Sequence, residues 1–391
     1  MTDPLDRPAI RLLAIEALHR SIGLLNEPAY ARLRLEPDRD VAFADLELDS
    51  LSTLEALMEI EEAVAVELDP ELRCPVSSRS TASSTTSWPA GPRPAGRMLD
   101  RALEHLATVE PRQRGRLFNQ IEDILTPREY AALGERLSDP ELAAFYRWRS
   151  VALAMAGQEP QSFERRQITP NVLLFSDPAH AARDKTLLVG FAGRLGRLMI
   201  PNVGFVQCLP AERFDIVILS DPLNRHFREG VPGCGTSFRT LVDAVGRHFP
   251  RENYRRHVAI GTSMGGLPAV WYGLMAGADR TIGIGARAAW DVTRLLDGQG
   301  PRHAYDPVCA CCSGRHREIV FVHARDHETD RIQAGHFARI LNAQVLAIPG
   351  VDNHSPLAQL WESGSLSPFL VNLIEARAFR PRWVVQKRAQ A

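Results

Sequence analysis

The sequence predicts an α/β protein, with a mostly parallel sheet covered by helices in its C-terminal half. A small helical bundle and a further helical stretch precede that sheet. Three observations carry this reading. From Ile168 onward, short apolar runs alternate with helical stretches, the pattern of strands joined by crossover helices. In the middle of that series, Arg256 to Val270 reads as a short apolar strand, a tight turn and a helix, and the turn carries Gly261-x-Ser263-x-Gly265. Before the series, residues 76–96 are dominated by Ser, Thr, Pro and Gly, a linker composition that separates two differently patterned regions.

Composition bounds the possibilities. A chain of 391 residues with 45% hydrophobic content is long enough for two or three domains with a sizeable core. A net charge of -1 gives no global reason to expect nucleic acid or a membrane surface as partner. Met1 to Asp6 is acidic and lacks a signal-peptide pattern, and no uncharged apolar run reaches membrane-spanning length. Six cysteines in a chain of this size do not suggest a disulfide scaffold, so a cytoplasmic protein is expected.

Taken in order, residues 7–27 carry Ile10, Leu13, Leu18, Ile22 and Leu25 as markers of an amphipathic helix. A charged loop, Glu36 to Asp40, follows. Asp49 or Ser50 then stands where a helix N-cap is expected, ahead of Leu51, Leu54, Leu57 and Met58 at helical spacing. Glu55, Glu59 and Glu62 fall on another face. An N-capped helix with a solvated acidic face accounts for this much. Together with the Asp45-Leu46 lead-in, the run Leu46-Glu47-Leu48-Asp49-Ser50-Leu51 resembles an acyl carrier protein over about residues 7–70. The resemblance implies covalent 4'-phosphopantetheine on Ser50, loaded by a phosphopantetheinyl transferase. It also implies that Glu55, Glu59 and Glu62 recruit basic synthase enzymes. The chain departs from that family between Cys74 and Ala95, where Ser, Thr, Pro and Gly replace the last short helix. The expected organisation is a carrier-like domain at 1–75, a flexible linker at 76–96, a helical spacer at 97–160 and the sheet domain at 168–380.

In the spacer, Leu99, Leu103, Leu106, Leu117, Ile121, Ile124 and Leu125 are placed for buried helical faces, and no catalytic constellation is visible. The expected strands are Val172–Phe175, Thr186–Val189, Asp215–Leu219, His257–Ile260, Thr281–Ile284, Ile319–Val322 and Ala343–Ile348. A serine at the tip of a strand-to-helix turn needs small neighbours, which the two glycines supply. At a helix N-terminus, the dipole and the free N–H groups favour a developing oxyanion.

The block from 168 to 380 resembles the α/β-hydrolase family, in which nucleophile, acid and histidine follow in that chain order. The resemblance makes Ser263 the nucleophile and His354, in the polar loop Ile348 to Pro356, the base. A base that takes the serine proton and later returns it must titrate near neutrality. For the acid, Asp326 just past a strand is the first candidate, with Asp330 as the alternative or as a helix N-cap. The oxyanion donors are expected to be the backbone N–H of Met264 and of Phe191, the latter in the loop Gly190 to Gly193. Arg194, Arg197 and Met199 follow that loop and are candidates to line the entrance. Cys309-Ala310-Cys311-Cys312, with His303 and His316 nearby, matches no zinc-ligand spacing, so no metal is expected there; Cys208 and Cys234 stand isolated.

These readings combine into a serine thioesterase or acyltransferase that takes an acyl thioester from phosphopantetheine through an acyl-serine intermediate. Two rivals stay open. One is a serine esterase docked to a synthase by its carrier-like domain. The other is a noncatalytic hydrolase-fold scaffold.

Overall fold

The computed structural model describes residues 97–110, 113–287 and 318–376. The carrier-like segment with Ser50, the linker and Cys309 to Cys312 lie outside the described residues.

Strands β1 (Glu164–Thr169), β2 (Val172–Ser176), β3 (Thr186–Phe191), β4 (Phe214–Leu219), β5 (Arg256–Thr262), β6 (Arg280–Ile284), β7 (Glu318–Ala324) and β8 (Gln344–Ile348) form one eight-stranded sheet. Its order is β1-β2-β4-β3-β5-β6-β7-β8. Strands β1 and β2 pair antiparallel, β2 pairs antiparallel with β4, and every pairing from β4 to β8 is parallel. This is the α/β-hydrolase order, with the chain reversing direction across the sheet between β3 and β4 and then running outward from β5. Side chains alternate faces along each central strand, as pleating requires. Leu188, Ile216, Ile218, Val258 and Ile260 belong to one buried cluster. Leu187, Val189, Val217, Leu219 and Ala259 belong to the cluster on the other face. Both faces are covered, so the central strands are apolar almost throughout rather than alternating with polar residues.

On one face lie α6 (Asn202–Gln207), α10 (Pro356–Glu362) and α11 (Leu366–Glu375). The other carries α7 (Phe238–His248), α8 (Gly266–Ala276) and α9 (Glu328–Leu341). Upstream of the sheet come α1 (Arg97–Thr108), α2 (Arg114–Ile124), α3 (Pro127–Arg136), α4 (Pro140–Trp148) and α5 (Ser150–Met155). Helix α3 opens with a capping box: Thr126 Oγ1 accepts from the Glu129 amide at 3.2 Å and the Glu129 carboxylate from the Thr126 amide at 2.9 Å. Asp139 caps α4 by accepting from the amides of Glu141 and Leu142. Arg149, after α4, donates from Nε and Nη2 to the two oxygens of buried Glu122 at 2.9 and 2.6 Å, the bidentate geometry guanidinium favours.

The helices expected as a spacer pack directly on the sheet domain. Arg197, in the segment after β3, is buried and donates to Asp123 Oδ1 at 2.7 Å and to the Asn119 carbonyl at 2.7 Å. Burial pushes the Asp123 carboxyl up to about 6, an effect that the Arg197 charge offsets only in part. Gln207 accepts from the Gln161 amide and donates to the Glu159 carbonyl, both at 3.0 Å, fixing the entry into β1.

Charged groups are buried at the N-terminal ends of the parallel strands. Lys185 Nζ, before β3, donates to Asp215 Oδ1 of β4 at 2.9 Å and to the Asp177 carbonyl at 2.5 Å, while Tyr254 Oη donates to Asp215 Oδ2 at 3.2 Å. Arg280, at the start of β6, donates from Nε to Glu318 of β7 at 2.8 Å and also reaches the carbonyls of Leu373 and Ala376 at the end of α11. Each of these cations has a carboxylate partner, the condition under which buried charge is tolerated.

Candidate active site

The turn after β5 has the geometry expected of a nucleophile elbow. Residues Ser263–Gly265 form a single 3-10 turn between β5 and α8. Ser263 has φ +50°, left-handed for a non-glycine residue, which costs of order 1–3 kcal/mol and persists only where the surroundings enforce it. The flanking glycines show what enforces it. A Cβ on Gly261 would collide with the Gly265 carbonyl and lie 2.7 Å from Ala269 Cβ. A Cβ on Gly265 would collide with the Phe191 carbonyl and lie 2.6 Å from that of Ala192. The elbow is wedged between its own helix and the end of β3, and only glycine fits at either side. Ser263 itself remains half-buried, at the N-terminal end of an 11-residue helix.

The strand register sets what stands beside Ser263. Thr262 pairs with Ile284, so the next residues, Ser263 and Gly285, emerge side by side at the C-terminal ends of β5 and β6. Neighbouring strands lie about 4.8 Å apart. The His354 imidazole packs on Gly285: a Cβ there would lie 2.8 Å from His354 Cε1 and 3.3 Å from Nδ1. Gly285 has φ +55°, a second reason for glycine at this position. The expected nucleophile and base therefore lie at the same end of the sheet, beyond the neighbouring strands β5 and β6, with no hydrogen bond yet joining His354 Nε2 to Ser263.

Asp330 is the acid that faces this imidazole. His354 Nδ1 lies 2.9 Å from both Oδ1 and Oδ2 of Asp330. Asp326, the first candidate from the sequence, is exposed, and its amide donates to the Val351 carbonyl at 3.1 Å. The difference comes from the short β7–α9 connection, residues 325–327. The first turn of α9 already overhangs the sheet edge, and its third residue, Asp330, points inward. The N-cap is His327, whose Nδ1 accepts from the Asp330 amide at 3.4 Å and stands 3.3 Å from Oδ1. Burial opposes ionisation of Asp330, but the charge and hydrogen bond of His354, with His327 close by, outweigh it and hold the carboxyl well below the usual carboxylate range. His354 Nε2 is buried and has no hydrogen-bond partner. A ring held through Nδ1 with Nε2 unengaged is arranged to accept a proton at Nε2.

The expected oxyanion donors are placed differently from each other. Met264 supplies the first amide after Ser263, at the head of α8. Phe191 stays inside β3, in register with Leu219 on one side and Gly261 on the other. Its buried ring packs on Phe227 and Tyr272 at centroid separations of 5.1 and 5.3 Å. The structure thus does not bring the Phe191 amide out into the loop. The next two amides are also engaged, Ala192 with the Leu219 carbonyl at 2.9 Å and Gly193 with the Arg197 carbonyl at 2.8 Å. Arg197 does not line an entrance, because its guanidinium is turned inward onto Asp123.

Two features beside the elbow carry little sequence signal. Buried Asp221, after β4, gathers the amides of Leu223, Arg225 and Phe227 at 3.0, 2.7 and 2.8 Å. The loop it organises holds Asn224, His226 and Phe227 at positive φ, and His226 Nδ1 lies 3.2 Å from the Met264 carbonyl. Gly285 was the more findable of the two, as a glycine closing an apolar strand next to the elbow strand. Cys208 and Cys234 are free thiols, and burial pushes Cys208 up to about 12 and Cys234 upward as well.

No family model matches the chain, and no curated protein is found to be similar to it. Among solved structures, it is similar to the Pyrococcus horikoshii acylaminoacyl peptidase at 11% identity and TM-score 0.38, over 64% of this chain and 46% of that one. Est1E from Butyrivibrio proteoclasticus shows 13% identity and TM-score 0.37, over 54% of this chain and 98% of that one. The capsule O-acetyltransferase of Neisseria meningitidis serogroup A shows 10% identity and TM-score 0.36, over 53% and 94%. The chain thus spans less than half the length of the peptidase. At these values the activities named belong to those proteins, and the architecture rests on strand order and elbow.

Proposed function

We propose that the protein is a serine hydrolase that transfers an acyl group through an acyl-Ser263 intermediate. The observation that carries this is His354, packed on the glycine beside the elbow, held by Asp330 through Nδ1 and unengaged at Nε2. In this reading Nε2 takes the Ser263 proton as Oγ attacks an acyl carbonyl, and Asp330 stabilises the imidazolium that forms. The Met264 amide and the α8 N-terminus supply positive potential for the oxyanion. Nε2 then protonates the leaving group, and a second acceptor releases the acyl chain from Ser263.

The substrate reading adds the N-terminal segment. A carrier-like sequence on the same chain makes a phosphopantetheine thioester on Ser50 the natural acyl donor, in the manner of a thioesterase or acyltransferase. A phosphopantetheinyl transferase and synthase enzymes are its partners in this reading. No helix among the described residues is long and apolar enough to cross a membrane. Two experiments test the proposal separately. A fluorophosphonate probe should label wild type and not Ser263→Ala; absence of labelling in wild type favours the scaffold reading. Intact-mass measurement after treatment with a phosphopantetheinyl transferase and coenzyme A should show one added phosphopantetheine, lost in Ser50→Ala. Labelling without that mass gain leaves a simple serine esterase.

A further inference from the structure

One ring nitrogen each from His327 and His354 and a carboxylate oxygen of Asp330 all lie within 4.8 Å of one another. Hydrolysis by the mechanism above uses only two of these groups. His327 Nδ1 and His354 Nδ1 stand 3.3 and 2.9 Å from Asp330 oxygens, and ligands at about 2.1 Å around a tetrahedral zinc are about 3.4 Å apart. The set is thus close to the spacing of three protein ligands with a fourth position left for water. Its chemistry also fits: two imidazoles and one carboxylate that is held ionised, a donor set that borderline-soft divalent cations prefer over calcium or magnesium. The Asp330 side chain is 5% exposed and those of His327 and His354 are 14% and 20% exposed, so the anion is shielded while the imidazoles remain reachable from solvent.

We propose that His327, Asp330 and His354 form a zinc-binding site that switches the hydrolase off reversibly. The effect on turnover rests on the function proposed above; the binding does not. Coordination at His354 Nδ1, the nitrogen that faces Asp330, removes the base. At Nδ1 the neutral ring must carry its proton on Nε2, so that nitrogen becomes a donor, and Asp330 trades its hydrogen bond for a metal bond. No electron changes hands and no group is transferred: neutral rings shift a proton through solvent from Nδ1 to Nε2, and protonated rings release theirs. His327 is then the third ligand and serves as the N-cap of α9 when the metal is absent.

The test uses the full chain. Zinc, set by a metal buffer, is titrated into wild type and His327→Asn, a replacement that keeps N-capping capacity but removes the ligand. Each protein's own metal-free turnover is the reference. Wild type should be inhibited and recover with chelator, and His327→Asn should need more than tenfold more free zinc for half inhibition. Binding is read without activity in Ser263→Ala, by long-range proton–nitrogen spectra of the histidine rings. Zinc should shift the His327 and His354 ring nitrogens together, at a concentration matching the inhibition. Equal inhibition of wild type and His327→Asn, or ring signals that do not move while zinc binds to cysteines, overturns the site. Ring shifts in a protein with no hydrolase activity sustain the metal site and discard its role as a switch.

Discussion

Replacing Asp330 by asparagine tests the base assembly most directly. Asp330→Asn keeps shape and burial but removes the charge 2.9 Å from His354 Nδ1. At an effective dielectric of about 20, two unit charges at 2.9 Å attract by about 6 kcal/mol. That attraction exists only once His354 has taken the serine proton, so its loss falls on the transition state. Converted at about 1.4 kcal/mol per decade, it corresponds to about a 10⁴-fold loss in kcat. The same order is found generally when a triad carboxylate becomes an amide, because the imidazole is then held in the wrong tautomer. Asp326→Asn removes an exposed side chain whose backbone alone is engaged, and should change kcat less than about threefold. The assay is hydrolysis of an activated ester by both variants, with thermal unfolding to confirm that each is folded. A folded Asp330→Asn within tenfold of wild type, or Asp326→Asn losing as much as Asp330→Asn, refutes the assignment.

The remaining expectations concern the surroundings of that pair. Gly285→Ala places a Cβ 2.8 Å from His354 Cε1 at a backbone φ of +55°, so kcat should fall about a hundredfold with KM little changed; steady-state kinetics with a soluble ester read the split. Arg197→Met leaves Asp123 without its cation and should cost about 3 kcal/mol in denaturant unfolding at pH 8. With Arg197 present the folded-state Asp123 carboxyl sits at about 6, and without that cation it sits higher still, so the variant relieves its buried charge by protonating and the deficit should narrow as pH falls from 8 toward about 6. Asp330 has the opposite sign: its depressed folded-state value gives stability that is present above the ordinary carboxylate range of about 4 and fades only as pH falls below it. The stability gap between wild type and Asp330→Asn should therefore shrink as pH falls below about 4.

Seven of the eight strands are legible as apolar runs because the sheet is covered on both faces, which leaves no polar alternation to blur them. β1 escapes that signal. Glu-Arg-Arg-Gln-Ile-Thr lies at an edge, where only Thr169 is buried, and solvent-facing charge suits an edge strand. Ser263 is readable because its strained φ demands glycines at fixed offsets, and such demands leave a mark in sequence. His354 is readable from loop position and chain order. Asp330 is not, since choosing it over Asp326 depends on how the first turn of α9 overhangs the sheet, a three-dimensional matter of one helical turn. Phe191 fails as a loop donor for a similar reason: β3 runs two residues further than its apolar run Thr186–Val189 suggests. His327 matters through neighbours distant in sequence, and single-chain patterns are silent about those, whereas Gly285 at least closes an apolar strand.

The parallel strands place Ser263, Gly285, Asp330 and His354 beyond their C-terminal ends, and the buried pair Lys185–Asp215 and buried Arg280 with its partly exposed partner Glu318 at their N-terminal ends. A five-residue strand is about 17 Å long, well beyond the distance at which substitutions ordinarily interact. The two ends can therefore diversify independently. Loops on the Ser263 side can be exchanged without loosening the ionic bolts, and the bolts can be reinforced to raise the thermal ceiling without disturbing the turnover proposed for the other end. Combined substitutions drawn from opposite ends should add in free energy, which makes the scaffold a forgiving starting point for directed evolution.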